Sequence, residues 1–91
     1  MLIRVHIFVS GLVQGVTFRA FAKQQANYLK IKGWVTNLDD GRVEIVLEGE
    51  EKLVEILINQ LKSGPHFAKI ENFSVDYESY SGEFKNFSIK Y

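Results

Sequence analysis

Apolar and polar residues alternate from Leu2 to Ser10: Ile3, Val5, Ile7 and Val9 fall on one side, Arg4, His6, Phe8 and Ser10 on the other. A period of two predicts a strand with one buried face. From about Thr17 the period lengthens, and Phe18, Phe21, Ala22, Ala26 and Leu29 recur at helical spacing. They form the stripe of an amphipathic helix, with Thr17 where a cap is expected, although Ala20 completes no capping box. A second strand is predicted over 31–37. A third covers 42–48, with Val43, Ile45 and Leu47 on one face. Between them Leu38-Asp39-Asp40-Gly41 reads as a hairpin turn. A second helix is predicted over 50–62, its stripe being Leu53, Ile56, Leu57 and Leu61. Glu50 and Glu51 suit its positive end, Lys62 suits its negative end, and Ser63-Gly64-Pro65 stops it. The fourth strand, Phe67 to about Ser79, slips phase between Ile70 and Phe73, which predicts a bulge or bend. Phe87, Ile89 and Tyr91 alternate in a short last strand.

Strand-helix-strand-strand-helix-strand is the order of two split units. It predicts an α+β, ferredoxin-like βαββαβ sandwich: an antiparallel sheet with two helices on one face and a short extra C-terminal strand. The first and second strands then run parallel with the third between them. Their C-terminal ends meet one edge of the sheet about 10 Å apart, two strand spacings. The loop after the first strand and Asn37 are brought together there, with the segment 63–66 emerging at the same edge.

The 91 residues suit a single domain, 1–91. There is no cysteine, so neither a disulfide framework nor a thiolate metal site is expected. No signal pattern and no membrane-spanning run is visible, and a cytoplasmic protein is expected. Eleven basic residues balance eleven acidic ones. Such a balance gives no field for nucleic acid or an anionic membrane, so any anion must be bound locally.

The loop Gly11-Leu-Val-Gln-Gly-Val-Thr-Phe-Arg19 offers one local place. It lacks the Gly-Lys-Ser/Thr of a Walker loop and the Gly-x-Gly of a dinucleotide fingerprint. On its own it reads equally as a tight turn followed by a solvated arginine. As an anion site it has sound parts. Glycines let successive N–H groups converge, the following helix N-terminus adds partial positive charge, and a guanidinium can grip a phosphate at two points. No carboxylate stands between residues 1 and 38 to repel the anion.

With Gly33-Trp-Val-Thr-Asn-Leu-Asp-Asp-Gly-Arg-Val43 and the following Glu48-Gly49, this loop resembles the acylphosphatase family. The likeness covers essentially the whole chain, including Gly64-Pro65, Ala68-Lys69-Ile70 and the closing Phe87-Ser-Ile-Lys-Tyr91. It implies hydrolysis of the carboxyl–phosphate bond of acyl phosphates, giving a carboxylate and inorganic phosphate, with no metal and no cofactor. It also implies roles by motif position. Arg19 binds phosphate and Asn37 orients the attacking water. Gly11, Leu12, Val13, Gln14, Gly15, Val16, Thr17 and Phe18 form the backbone cradle. Two positions depart from common members: Thr17 where glycine is frequent, and Lys30 where the first helix often ends in glycine. Thr17 leaves the loop's tuning open between capping and shaping the cradle, and Lys30 implies a different helix ending.

The chemistry agrees with the residue types. A carboxylate leaving group needs no general acid, and none is visible at that edge. Positioning and charge stabilisation are what remain. Asp39 and Asp40 read as turn residues, since a carboxylate aimed at a phosphate would repel it. His6 and His66 lack metal-ligand spacing, His6 being placed on the sheet's outer face and His66 in a loop. Ser10 and Ser63 belong to no triad. Trp34 reads as packing on a partly covered sheet.

Two other classes stay open because fold does not decide function. An RNA-recognition module would need aromatic residues on the open face of the central strands, where the third strand carries Glu44, Val46 and Glu48 and the first only Phe8. A phosphate-handling accessory domain of a larger enzyme is the other. The expected partner is a small acyl phosphate, without nucleic acid or membrane. A monomer is expected, although the last strand offers an edge for pairing.

Overall fold

In a computed structural model that describes residues 1–15 and 17–91, the elements are β1 (Leu2–Leu12), α1 (Phe18–Tyr28), β2 (Lys32–Asn37), β3 (Val43–Glu50), α2 (Glu51–Ser63), β4 (Lys69–Glu78) and β5 (Phe87–Lys90). The sheet order is β4-β1-β3-β2-β5. Four strands pair antiparallel, as the pattern predicts, and β5 joins β2 in parallel. The sheet is therefore mixed. The consequence is local: Thr36 lies opposite Lys90, so the end of β5 reaches the same edge as the ends of β1 and β2.

The alternating apolar set of β1 fills the core. Val5, Ile7 and Val9 pack with Val35, Ile45 and Leu47 beneath Phe18, Ala22 and Ala26 of α1 and Leu57 and Leu61 of α2. Burial of these side chains removes water from one face of the sheet, the main favourable term of such a fold. The expected stripe of α2 needs one correction. Ile56 is exposed, and Val54 and Ile58 are buried. At about 100° per residue, Ile56 falls a full step outside the line through Leu57 and Leu61.

The phase slip in β4 is a bulge. Ser10 pairs with Asn72 and Gly11 with Ile70, leaving Glu71 without an opposite residue. Gly11 has a φ of 122°, and a Cβ there would collide with the carbonyl oxygen of Lys69. The glycine is thus required by strand contact as well as by loop geometry.

Both helix ends follow from identifiable groups. The Glu50 carboxylate accepts the N–H groups of Lys52 (2.9 Å) and Leu53 (3.4 Å) at the start of α2. At the end of α1, Ile31 N–H donates to Ala26 O (2.8 Å) and Lys30 N–H to Asn27 O (3.2 Å). These are the two bonds of a Schellman ending. Lys30 takes its left-handed position with φ 58°. The different helix ending expected from Lys30 is therefore not found, because backbone hydrogen bonding holds the glycine-type ending with a lysine in it.

The outer face of the sheet is less open than alternation implies. Val46 is fully buried, lying between its register partners His6 and Trp34. Glu48 is 3% exposed, covered by the segment after β4 through Ser81 N–H (2.8 Å), Ser81 Oγ–H (2.8 Å) and Gly82 N–H (3.0 Å). His6 lies on this face, as expected, with Trp34 half-buried beside it.

Candidate active site

A cavity of about 160 Å³ opens at the edge where β1, β2 and β5 end and α1 begins, lined by Val13, Gly15, Thr17, Phe18, Arg19, Ala20, Asn37, Ile89 and Tyr91. Arg19 and Asn37, 18 positions apart in sequence, thus share one wall-to-wall space. Gly11 and Leu12 belong to β1 and do not line it. Val16 lies outside the described residues. His66, Asp39 and Asp40 do not line the cavity either. Asp40 instead accepts Arg42 N–H (3.1 Å) and Arg42 Nε–H (2.8 Å), which is turn chemistry, as expected.

The loop is turned by left-handed backbone at Gly15 (φ 74°) and Thr17 (φ 63°). A glycine adopts this freely, whereas for a β-branched residue it is an outlier. Thr17 stands at the N-cap position of α1, but its side chain makes no cap hydrogen bond to the helix. Side-chain capping needs extended backbone at that position, which φ 63° denies. The capping role open to Thr17 is therefore excluded. α1 has no acidic residue in its first turn, so its partial positive charge is left facing the cavity.

Arg19 extends that charge. Among the described residues its guanidinium makes no hydrogen bond or ion pair, and its partner is the Tyr91 ring, whose centroid lies 4.8 Å from Cζ. A stacked guanidinium keeps its in-plane N–H donors available. Asn37 ends β2 opposite Val43. Its Oδ1 is buried with no hydrogen-bond partner among the described residues. A buried amide oxygen left unpaired costs about 1–3 kcal/mol, so a ligand or water that pairs with it is favoured.

Gln14 has a role that sequence reasoning missed. Its side-chain amide does not line the cavity. Nε2 donates to Leu38 O (2.8 Å) and Arg42 O (2.9 Å), tying the loop to the hairpin that carries Asn37. An amide in an otherwise apolar loop was the available signal. Ile89 and Tyr91 were missed as well, since their place here depends on the parallel pairing of β5.

The acylphosphatase family model matches residues 5–89. A curated acylphosphatase of Roseiflexus sp. (strain RS-1) is 48% identical over 86 residues, covering 94% of this chain and 92% of its own. The crystal structure of acylphosphatase from Bacillus subtilis superposes with a TM-score of 0.94 at 42% identity, each chain fully covered. A structure of full-length HypF in a phosphate- and nucleotide-bound form gives a TM-score of 0.87 at 31% identity, over 99% of this chain and 12% of that one. With the family model spanning nearly all of it, the chain belongs to the acylphosphatase family.

Proposed function

We propose that the chain hydrolyses acyl phosphates to a carboxylate and inorganic phosphate at the cavity between α1 and the end of β2. The observation that carries this reading is the pairing of two unsatisfied groups in one cavity: the Arg19 guanidinium and the buried Asn37 Oδ1. A volume of 160 Å³ is about five water volumes at roughly 30 Å³ each, enough for a phosphoryl group and its attacking water.

The phosphoryl oxygens lie against Arg19 and the backbone N–H groups of Val13, Gly15, Thr17 and Phe18, with Val16 completing the run by its place in the sequence. Asn37 Oδ1 accepts one proton of a water and aims its oxygen at phosphorus. The water oxygen bonds to phosphorus as the bond from phosphorus to the acyl oxygen breaks. The carboxylate leaves with the electron pair, and the proton released by the water passes to a phosphoryl oxygen. In a loose transition state little bond formation precedes departure of the leaving group, so no strong base is required. Fixed donors aimed at the developing charge do most of the work, since they need no reorganisation during the reaction.

A second reading comes from the likeness to a small part of full-length HypF, in which this chain would bind phosphate without turnover. Hydrolysis of benzoyl phosphate by the purified chain in excess chelator separates the two. Turnover that persists with chelator is expected. Phosphate binding without turnover would leave only the accessory role.

A further inference from the structure

The cavity holds the phosphoryl end of a substrate and little else. Small-molecule pockets that enclose a whole ligand run to about 300–1,000 Å³, well above the 160 Å³ found here. The acyl portion must therefore lie at the mouth. The two side chains that β5 brings to that mouth are Ile89 and Tyr91, an apolar and an aromatic group. Tyr91 is 98% exposed, although its ring is held over the Arg19 guanidinium at 4.8 Å. One face of the ring is oriented by that cation–π contact and the rest meets solvent. Across the mouth the lining residues are Gly15 and Thr17, which offer little side-chain area.

We propose that Tyr91 selects the acyl group: its ring is a platform beside the phosphoryl site that favours acyl phosphates bearing a planar, aromatic acyl portion over small aliphatic ones. The inference rests on the hydrolytic reading of the cavity. Offset or edge contact between the ring and an aromatic acyl group recovers apolar area that acetyl-sized groups lack. The contact forms in the ground state, so it acts through KM more than through kcat.

The test compares benzoyl phosphate with acetyl phosphate on the wild-type chain, Tyr91→Phe and Tyr91→Ala, and measures competitive inhibition by inorganic phosphate. In Tyr91→Ala the ratio of kcat/KM for benzoyl over acetyl phosphate is expected to fall roughly three- to tenfold, mostly through KM for benzoyl phosphate. Tyr91→Phe keeps the ratio, since the ring and not the hydroxyl does the selecting. An unchanged ratio in Tyr91→Ala overturns the proposal. So does an equal loss on both substrates with weakened phosphate inhibition, which would make Tyr91 a support for Arg19 alone. A wild-type chain inactive on both substrates would instead sink the hydrolytic reading, and this inference with it. The exposed position of Tyr91 makes loss of folding an unlikely confound, and phosphate inhibition reports an intact cradle.

Discussion

Arg4 and Arg19 project from the same small sheet-and-helix sandwich into opposite surroundings. Arg4, on the outer face of β1, meets Glu83 (2.7 Å), Glu78 (3.0 Å), Ser81 Oγ (3.2 Å) and Glu48 (3.3 Å). Its charge is spent within the fold, and its pKa is raised by Glu83 first, against the cost of burial, and then by Glu78 and Glu48. Arg19 meets one aromatic ring and no carboxylate. The difference teaches what each end of the molecule is for. Where polar groups satisfy one another they fix the chain. Where a guanidinium, a buried amide oxygen and an uncapped helix N-terminus face one cavity, their partner has to come from outside.

That contrast breaks most sharply at Arg19. Arg19→Ala is expected to lower turnover of benzoyl phosphate by roughly 10³-fold or more and to weaken phosphate inhibition. The urea midpoint should stay within about 0.5 kcal/mol of wild type, because no internal partner is lost. Asn37→Ala follows, with a loss of roughly 10²–10³-fold in kcat and a much smaller change in phosphate affinity. Its stability should hold or rise, since a buried unpaired oxygen is removed. Near wild-type hydrolysis by purified Asn37→Ala would remove its assigned role with the water.

Arg4→Ala should do the reverse. Glu48, 3% exposed, would keep its bonds to Ser81 and Gly82 but lose its countercharge. Breaking such a pair costs about 3 kcal/mol, seen as an earlier urea midpoint with kcat per folded molecule unaltered. Equal losses of stability in Arg4→Ala and Arg19→Ala would erase the distinction between the two ends.

Much of the candidate site was legible because its parts lie next to each other in sequence or at strand ends. The loop, Arg19 and Asn37 converge once β1 and β2 are known to be parallel, and the β4 bulge showed as a slip between Ile70 and Phe73. What stayed hidden depended on through-space partners. The position of β5 beside β2 is not written in its own alternation, so Ile89 and Tyr91 were not placed at the cavity. Nor does a polar segment such as residues 79–86 announce that it will fold over Glu48. Lys30 shows a third kind of gap: residue type argued against the left-handed ending, and backbone hydrogen bonds imposed it. Lys30→Gly is accordingly expected to raise stability by about 0.5–1 kcal/mol, read from the denaturation midpoint, with activity unaltered. A destabilised variant would mean the lysine contributes more than its strain costs.

The smallest expected effect concerns His6, and it tests how fully the outer face is satisfied. Nε2 lies 2.6 Å from Glu44 and Nδ1 3.0 Å from Glu78. Two acceptors facing both ring nitrogens suit the imidazolium, since a neutral ring donates from only one. Burial opposes the charge, but the bonds to Glu44 and Glu78 outweigh it and raise the pKa above its ordinary 6.5. Arg4 shares Glu78 with the ring, and Phe8 and Trp34 pack against it, so no other titrating group reverses the sign. Because the folded value is the higher one, the contribution is complete below about pH 6.5 and is lost as pH rises through the folded value. Glu48, Glu78 and Glu83 behave oppositely. Burial opposes the Glu48 charge, but Ser81, Gly82 and Arg4 outweigh it; His6 and Arg4 lower Glu78, and Arg4 and Ser81 lower Glu83. Their contribution is present above an ordinary 4.5 and lost as pH falls below it. The outer face is thus most stable between those limits. Thermal midpoints of wild type and His6→Gln at about pH 6 and pH 8.5 should show the wild type falling further on the alkaline side. Parallel declines would mean that the ring is held by packing on Phe8 and Trp34 and not by its charge.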